Sequence, residues 1–250
     1  MAFKDYFSKQ AADYARYRPR YPDALFEYLV GLVANPRAAW DCGTGNGQVA
    51  LSLTPYFDQI YATDASAQQI ANAFDHPKVS YAVAPAERTD LEAGSIDLVT
   101  VGLAIHWFDI PRFYQEVRRV TRSGAILAVW CSGDFLATPE TEEICQWVQA
   151  YRQQIQPWVA PEVNLIDAKY ATLPFPFDEI QPPAFQMSAQ WQRADLVGCL
   201  NTWSATQRMI QSKGAQTFET LAADIADVWP NAEQALTFQW PIYLRVGKIL

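Results

Sequence analysis

Residues 38–50, A-A-W-D-C-G-T-G-N-G-Q-V-A, carry the clearest chemistry in the chain. A short apolar run, Ala38, Ala39 and Trp40, meets a carboxylate at Asp41. Gly43, Gly45 and Gly47 then alternate with Thr44 and Asn46 before the apolar Val49, Ala50 and Leu51. Glycines at that spacing let the backbone turn tightly and let a ligand approach it closely. The helix that must follow offers free N–H groups at its start. A second acid, Asp64, lies 21 residues after Gly43, at the end of Q-I-Y-A-T. An acid at about that distance and position suits hydrogen bonds to ribose hydroxyls, and Ser66 is the rival helix cap beside it. His106 and Trp107 follow the apolar run S-I-D-L-V-T-V-G-L at Ser95–Leu103.

The glycine turn is not a good dinucleotide fingerprint. The third glycine position of G-x-G-x-x-G holds Gln48. No Lys or Arg occurs between Arg37 and Lys78, so Asp41 has no local cation to offset its repulsion of a pyrophosphate. A cofactor bearing ammonium and sulfonium charges meets that same carboxylate favourably. D-C-G-T-G-N-G resembles the first motif of class I S-adenosylmethionine (SAM) methyltransferases. The start F-S-K-Q-A-A-D-Y-A-R-Y-R-P-R-Y-P and the segment A-I-H-W-F-D resemble a subgroup that includes trans-aconitate methyltransferase-like enzymes.

That resemblance covers about residues 7–132 and carries implications residue by residue. SAM, which leaves as S-adenosylhomocysteine (SAH), is expected at Asp41, Gly43, Thr44, Gly45, Gly47, Asp64, Ala65, Ala86, Glu87, Ala104 and His106. The Ala86 N–H and Glu87 carboxylate are expected near the adenine, although Glu87 can equally be a solvated loop acid. Tyr14, Tyr17, Arg18, Trp107 and Trp203 are expected at the substrate, with the N-terminal segment as a lid. Arg18 is the candidate to fork onto a carboxylate, with Arg20 nearby. His106 is a candidate base, which a carboxylate acceptor would not require.

The elements that position these residues are legible from hydrophobic periodicity. Strands are expected at Ala38–Trp40, Gln59–Thr63, Val79–Ala84, Ser95–Leu103 and Ala125–Cys131, alternating with helices. Pro22 opens one helix, Pro111 another, Thr138 and Pro139 a third, and Asp195 caps a fourth. This alternation predicts a Rossmann-like, doubly wound, mostly parallel sheet. The family implies seven strands with an antiparallel last one, and Pro241 argues that this strand starts no earlier than itself. One domain is expected: residues 1–35 as lid and helix, 36–132 as SAM-binding core, 133–215 as a helical, aromatic cap, and 216–250 as the last helix and strand.

Composition narrows the partners. The net charge is −8 and there is no basic block, which argues against nucleic acid. Four dispersed cysteines and two histidines make a zinc site improbable. The first residues, M-A-F-K-D-Y-F-S-K-Q, have no apolar signal core, and no apolar run is long enough to span a membrane. The expectation is a cytoplasmic methyltransferase of a small organic molecule, foremost a carboxylic acid O-methyltransferase. A phenol, amine or carbon acceptor, a non-catalytic SAM-binding protein and an NAD-binding oxidoreductase are the alternatives. The oligomeric state is open.

Overall fold

The computed structural model describes Tyr17 and residues 19–250; the expectations for Tyr14 and Arg18 fall outside the described residues. The strands are β1 (Ala38–Cys42), β2 (Gln59–Asp64), β3 (Val79–Val83), β4 (Ile96–Gly102), β5 (Thr121–Ser132), β6 (Asp178–Ile180), β7 (Phe185–Trp191) and β8 (Leu236–Lys248). They form one sheet in the order β3-β2-β1-β4-β5-β8-β6, with β7 also pairing β8. β6 and β7 share the outer edge of β8, pairing its Val246–Lys248 and Leu236–Ile242 ends respectively. The sheet is thus seven positions wide with eight strands. β1 to β5 run parallel, and β8 is antiparallel to β5.

The buried strands alternate faces with period two. Ala39, Leu98 and Ile126 join one core with Leu25, Leu29, Val49 and Leu53. Trp40, Val99, Val101, Leu127 and Val129 join the other with Phe113 and Val117. The helices are α1 (Asp23–Gly31), α2 (Gln48–Leu53), α3 (Ala67–Ala71), α4 (Ile110–Val120), α5 (Glu142–Ile155), α6 (Asn164–Asp167), α7 (Arg193–Asn201), α8 (Ser204–Lys213), α9 (Ala215–Ala223) and α10 (Ile225–Val228).

Several helix starts differ from the sequence reading. Pro22 is the N-cap of α1 rather than its first residue. Asp109 caps α4 through the Arg112 N–H. α5 starts at Glu142, because the Thr138 and Thr141 hydroxyls bond one another at 2.9 Å and hold a turn ahead of it. α7 starts at Arg193 with Gln192 as cap, and Asp195 answers from inside the first turn as the second half of a capping box.

β8 runs straight through Pro241. The Pro241 carbonyl accepts the Gly133 N–H at 3.0 Å, so this residue's backbone faces the β5 side. Pairing with β5 begins only at Ile242 opposite Ser132. The missing N–H therefore points past the end of β5, and no bond to β7 is lost. Among the described residues no helix is long and apolar enough to cross a membrane, and no cluster of three or more His, Cys, Asp or Glu is arranged to hold a metal ion.

Candidate active site

A cavity of about 1450 Å³ opens at the carboxyl ends of β1, β2 and β4. The strand order reverses between β1 and β4, which is where open α/β sheets bind ligands. One half of the cavity is built from the loops after β1, β2 and β3. The other half is built from the loop after β4, the segment after β5, and α5 to α7.

In the first half, Asp41 is 1% exposed and sits opposite Thr100 in the β1–β4 register. Its two oxygens accept from the Thr100 and Thr44 hydroxyls, at 2.9 and 2.5 Å. Burial pushes its carboxyl up to about 6, against the pull of those two hydrogen bonds. The turn behind it is fixed by N–H groups of Gly43 and Thr44 donating to the Thr63 carbonyl. Gly43 has φ +69, and a Cβ there would lie 2.6 Å from the Ala104 Cβ. Gly43 is therefore needed where the β1 and β4 loops touch. Gly45 has φ +57, and the nearest protein atom to a Cβ would be 3.9 Å away. Its open side faces the cavity that it lines.

Asp64 accepts from the backbone N–H groups of Gly45 and Ser66, at 2.9 and 2.8 Å. It ties the β1 loop to the β2 loop, while the Ser66 hydroxyl caps α3. Glu87 accepts the Asp109 N–H at 2.7 Å, so this half-buried acid joins the β3 loop to the start of α4. Thr44, Ala65, Ala86 and Ala104 also line the cavity.

Two expected residues do not line it. Gly47 caps α2 at φ +90, and Tyr81 packs over it; a Cβ there would clash with the Tyr81 hydroxyl and ring. Tyr17 packs its ring against Gly198 of α7 and lines a separate shallow groove. Arg20 is exposed and is not among the lining residues.

In the second half, His106 and Trp107 occupy a short 3₁₀ turn, Ile105–Trp107, immediately after the β4 end. Leu103, which leads into it, holds φ +56, an uncommon left-handed conformation for a branched side chain. His106 is 6% exposed, and burial lowers it to about 3, with the nearby Glu162 charge opposing. Its Nδ1 lies 3.0 Å from the Tyr170 hydroxyl. Trp107, Trp203, Trp240, Phe135 and Tyr243 supply aromatic wall. Arg152 joins Asp134 and Asp167 in an ion cluster at this end, and Lys169 lies 4.8 Å over the Tyr243 ring.

Sequence reasoning did not find Tyr170, Arg152, Lys169 or Glu162. All four lie in the 133–215 stretch, where no motif marks them and only the packing of α5, α6 and the intervening 3₁₀ turns brings them to the β4 end. Their chemistry-bearing residue types were the only available signal.

The site fits a cofactor with a cationic end and a ribose. It places a buried acid under an open glycine, a second acid at the next strand end, and the side-chain amide nitrogen of Asn46 buried without a partner among the described residues. The comparisons agree. Residues 40–129 match the methyltransferase type 11 family model, described as a methyltransferase domain. A Dictyostelium discoideum protein named as a methyltransferase is 27% identical over 98% of this chain and 95% of its own length. The solved structure of an Anaeromyxobacter dehalogenans protein named as a type II methyltransferase is 38% identical, covers 93% of this chain and 98% of that one, and superposes with a TM-score of 0.82. A phosphoethanolamine N-methyltransferase from Haemonchus contortus, solved with phosphomonomethylethanolamine and SAH, shares the fold at a TM-score of 0.50 and 16% identity over 97% of this chain and 58% of that one. A glycine turn with buried Asp41 at the switch point of this sheet, in a chain this similar to a methyltransferase along nearly its whole length, makes the protein a member of the class I SAM-dependent methyltransferases.

Proposed function

We propose that the protein methylates a small, partly apolar organic acid on a carboxylate oxygen. When bound, SAM supplies an electrophilic methyl: an acceptor lone pair takes the carbon, and the C–S bonding pair stays on sulfur as neutral SAH departs. In this reading Asp41 faces the cationic end of the cofactor, Asp64 its ribose hydroxyls, and Ala86 and Glu87 its adenine. The Gly43–Gly45 turn gives the backbone its close approach. His106 and Trp107 stand beside the acceptor.

The observation that carries the acceptor class is the state of His106. It is buried among aromatics, no carboxylate among the described residues is hydrogen-bonded to it, and its Nδ1 is already engaged by Tyr170. Such an imidazole is a poor proton acceptor, so the substrate must arrive as a ready nucleophile. A carboxylate does so at neutral pH, and alignment with exclusion of water then suffices. The cavity exceeds the roughly 300–1,000 Å³ typical of a single-ligand pocket, which leaves room for a second small molecule beside the cofactor. Lys169, with no carboxylate partner among the described residues, supplies positive charge at its rim. The net charge of −8 supports a small-molecule partner over nucleic acid.

An amine acceptor is the second reading, favoured by Asp134, Glu162 and Asp167 on the same wall. Arg152 already neutralises part of that charge. The test is SAH release and product mass with a panel of small carboxylic acids, phenols and amines. Methyl esters from the acids are expected. Turnover confined to amines or phenols rejects the acceptor class, and tight SAM binding with no SAH from any acceptor rejects catalysis.

A further inference from the structure

We propose that Tyr170 is a positioning residue: its hydroxyl donates to His106 Nδ1, keeps the imidazole proton on Nε2, and makes His106 a hydrogen-bond donor to an acceptor oxygen in the cavity. The inference rests on the reading of this cavity as the methyl-transfer site.

The direction of the bond follows from satisfying both groups. Tyr170 is 0% exposed, and its hydroxyl has His106 Nδ1 as its partner among the described residues. If Nδ1 carried the proton, the phenol oxygen would receive it and leave its own buried hydrogen without an acceptor. A buried donor left in that position gives up its water without gaining a partner, which native structures rarely tolerate. Burial also holds the phenol well above its ordinary range, so it keeps its proton. With Nδ1 accepting, a neutral ring must carry its hydrogen on Nε2. Nε2 has no protein partner among the described residues, and His106 lines the cavity.

Tyr170 is held firmly enough to impose this choice. It and Lys169 adopt consecutive left-handed conformations, φ +55 and +56, after α6. The Tyr170 N–H donates to the Leu165 carbonyl at 2.9 Å. Arg245 of β8 donates to the carbonyls of Tyr170 and Leu173 and forks onto Glu179 of β6 with two bonds of 2.8 Å. Strain in three non-glycine residues, Leu103, Lys169 and Tyr170, is thus concentrated on the two segments that bring the imidazole and phenol together. A fixed Nε2–H steadies one oxygen of a carboxylate while the other attacks the methyl group, and takes no proton in doing so.

The chain holds two histidines, so its spectrum is readily assigned. The full protein labelled with ¹⁵N-histidine, with His76→Asn to assign the signals, reports through long-range ¹H–¹⁵N correlations which nitrogen bears hydrogen. The wild type is expected to show His106 with bare Nδ1 and protonated Nε2 at pH 7, and Tyr170→Phe to show a tautomer mixture. A wild-type proton on Nδ1, or an unchanged tautomer in Tyr170→Phe, overturns the proposal. If Tyr170→Phe does not fold, the wild-type spectrum still decides.

With an acid that the panel shows to be methylated, His106→Leu is expected to lose roughly ten- to hundredfold in kcat/KM, the scale of one buried hydrogen bond. His106→Gln, whose amide N–H can stand in for Nε2–H, is expected to keep most of it. Equal loss in both variants overturns the donor role. The tautomer measurement uses no acceptor, so a wrong acceptor class leaves its outcome intact and is recognised separately.

Discussion

Asp41 couples burial to cofactor charge, and its pH behaviour is predictable in sign. Burial raises its carboxyl to about 6 from an ordinary 3.8. With the cofactor placed as proposed, an ionised Asp41 attracts its cationic end and a protonated one does not. SAM affinity is therefore expected to rise as pH climbs through about 6 and to level above it, with Asp41→Asn giving a flatter profile; calorimetric titration from pH 5 to 8 measures both. Stability runs the other way. The native state holds this proton more tightly than the unfolded chain, so Asp41's contribution is full below about 4 and is lost as pH rises through about 6. Near neutrality that loss is about 3 kcal/mol, converted at 1.36 kcal/mol per unit. Asp41→Asn should gain stability relative to wild type across that window while binding SAM more weakly; denaturant melts at pH 4 and 7 check it. Asp64→Ala is expected to weaken SAM by about 1–3 kcal/mol, since it removes both a ligand acceptor and the tie between two loops. Wild-type affinity in that variant would remove Asp64 from the ribose role.

At the scale of elements, the two glycines of one turn separate folding from binding. A Cβ at Gly43 meets Ala104 across the β1 and β4 loops, whereas a Cβ at Gly45 makes only an ordinary van der Waals contact with the Gln69 side chain, 3.9 Å away, beside the cavity. Gly43→Ala is expected to cost more stability than the 1–2 kcal/mol or so of a left-handed alanine alone. Gly45→Ala should stay near that backbone cost yet lose most cofactor affinity. Paired melting and binding curves decide, and equal melting temperatures would contradict the contact. Arg245 makes a further element-level case, bracing β8, β6 and the turn that presents Tyr170. Arg245→Lys is expected to destabilise by about 1–3 kcal/mol, because an ammonium cannot reproduce a fork onto Glu179 and two carbonyls together. A melting curve matching wild type would show the brace to be dispensable.

For the molecule as a whole, a ligand that binds only the folded state stabilises it by mass action, about 2.7 kcal/mol at a hundredfold excess over Kd. SAM and SAH are expected to raise the melting temperature in proportion to their affinities, and NAD to leave it unchanged. A rise with NAD of comparable size would restore the dinucleotide alternative. The strand reversal between β1 and β4 makes this a property of the whole sheet, because both halves of the cavity close on a single crevice.

The sequence by itself determined the parallel core and the residues that the loops after β1, β2 and β3 bring to the cavity. Those features rest on local patterns: short, nearly continuous apolar runs in β1 and β4 that are buried on both faces, glycines at a strand-to-helix turn, and acids at successive strand ends. Chain order alone then brings Asp41, Gly45, Asp64 and Ala104 to one end of the sheet. Helix starts were less legible, because hydroxyl pairs such as Thr138 and Thr141 or a capping box at Gln192 compete within a few residues. The passage of β8 through Pro241 required knowing where β5 ends. In the other half, His106, Trp107 and Trp203 were legible from the sequence, and the residues that meet them were decided by tertiary structure. His106 and Tyr170 meet across 64 residues, and Arg245 reaches Tyr170 across 75. Their contacts depend on how the 133–215 stretch packs over the strand ends, which no periodicity or spacing encodes.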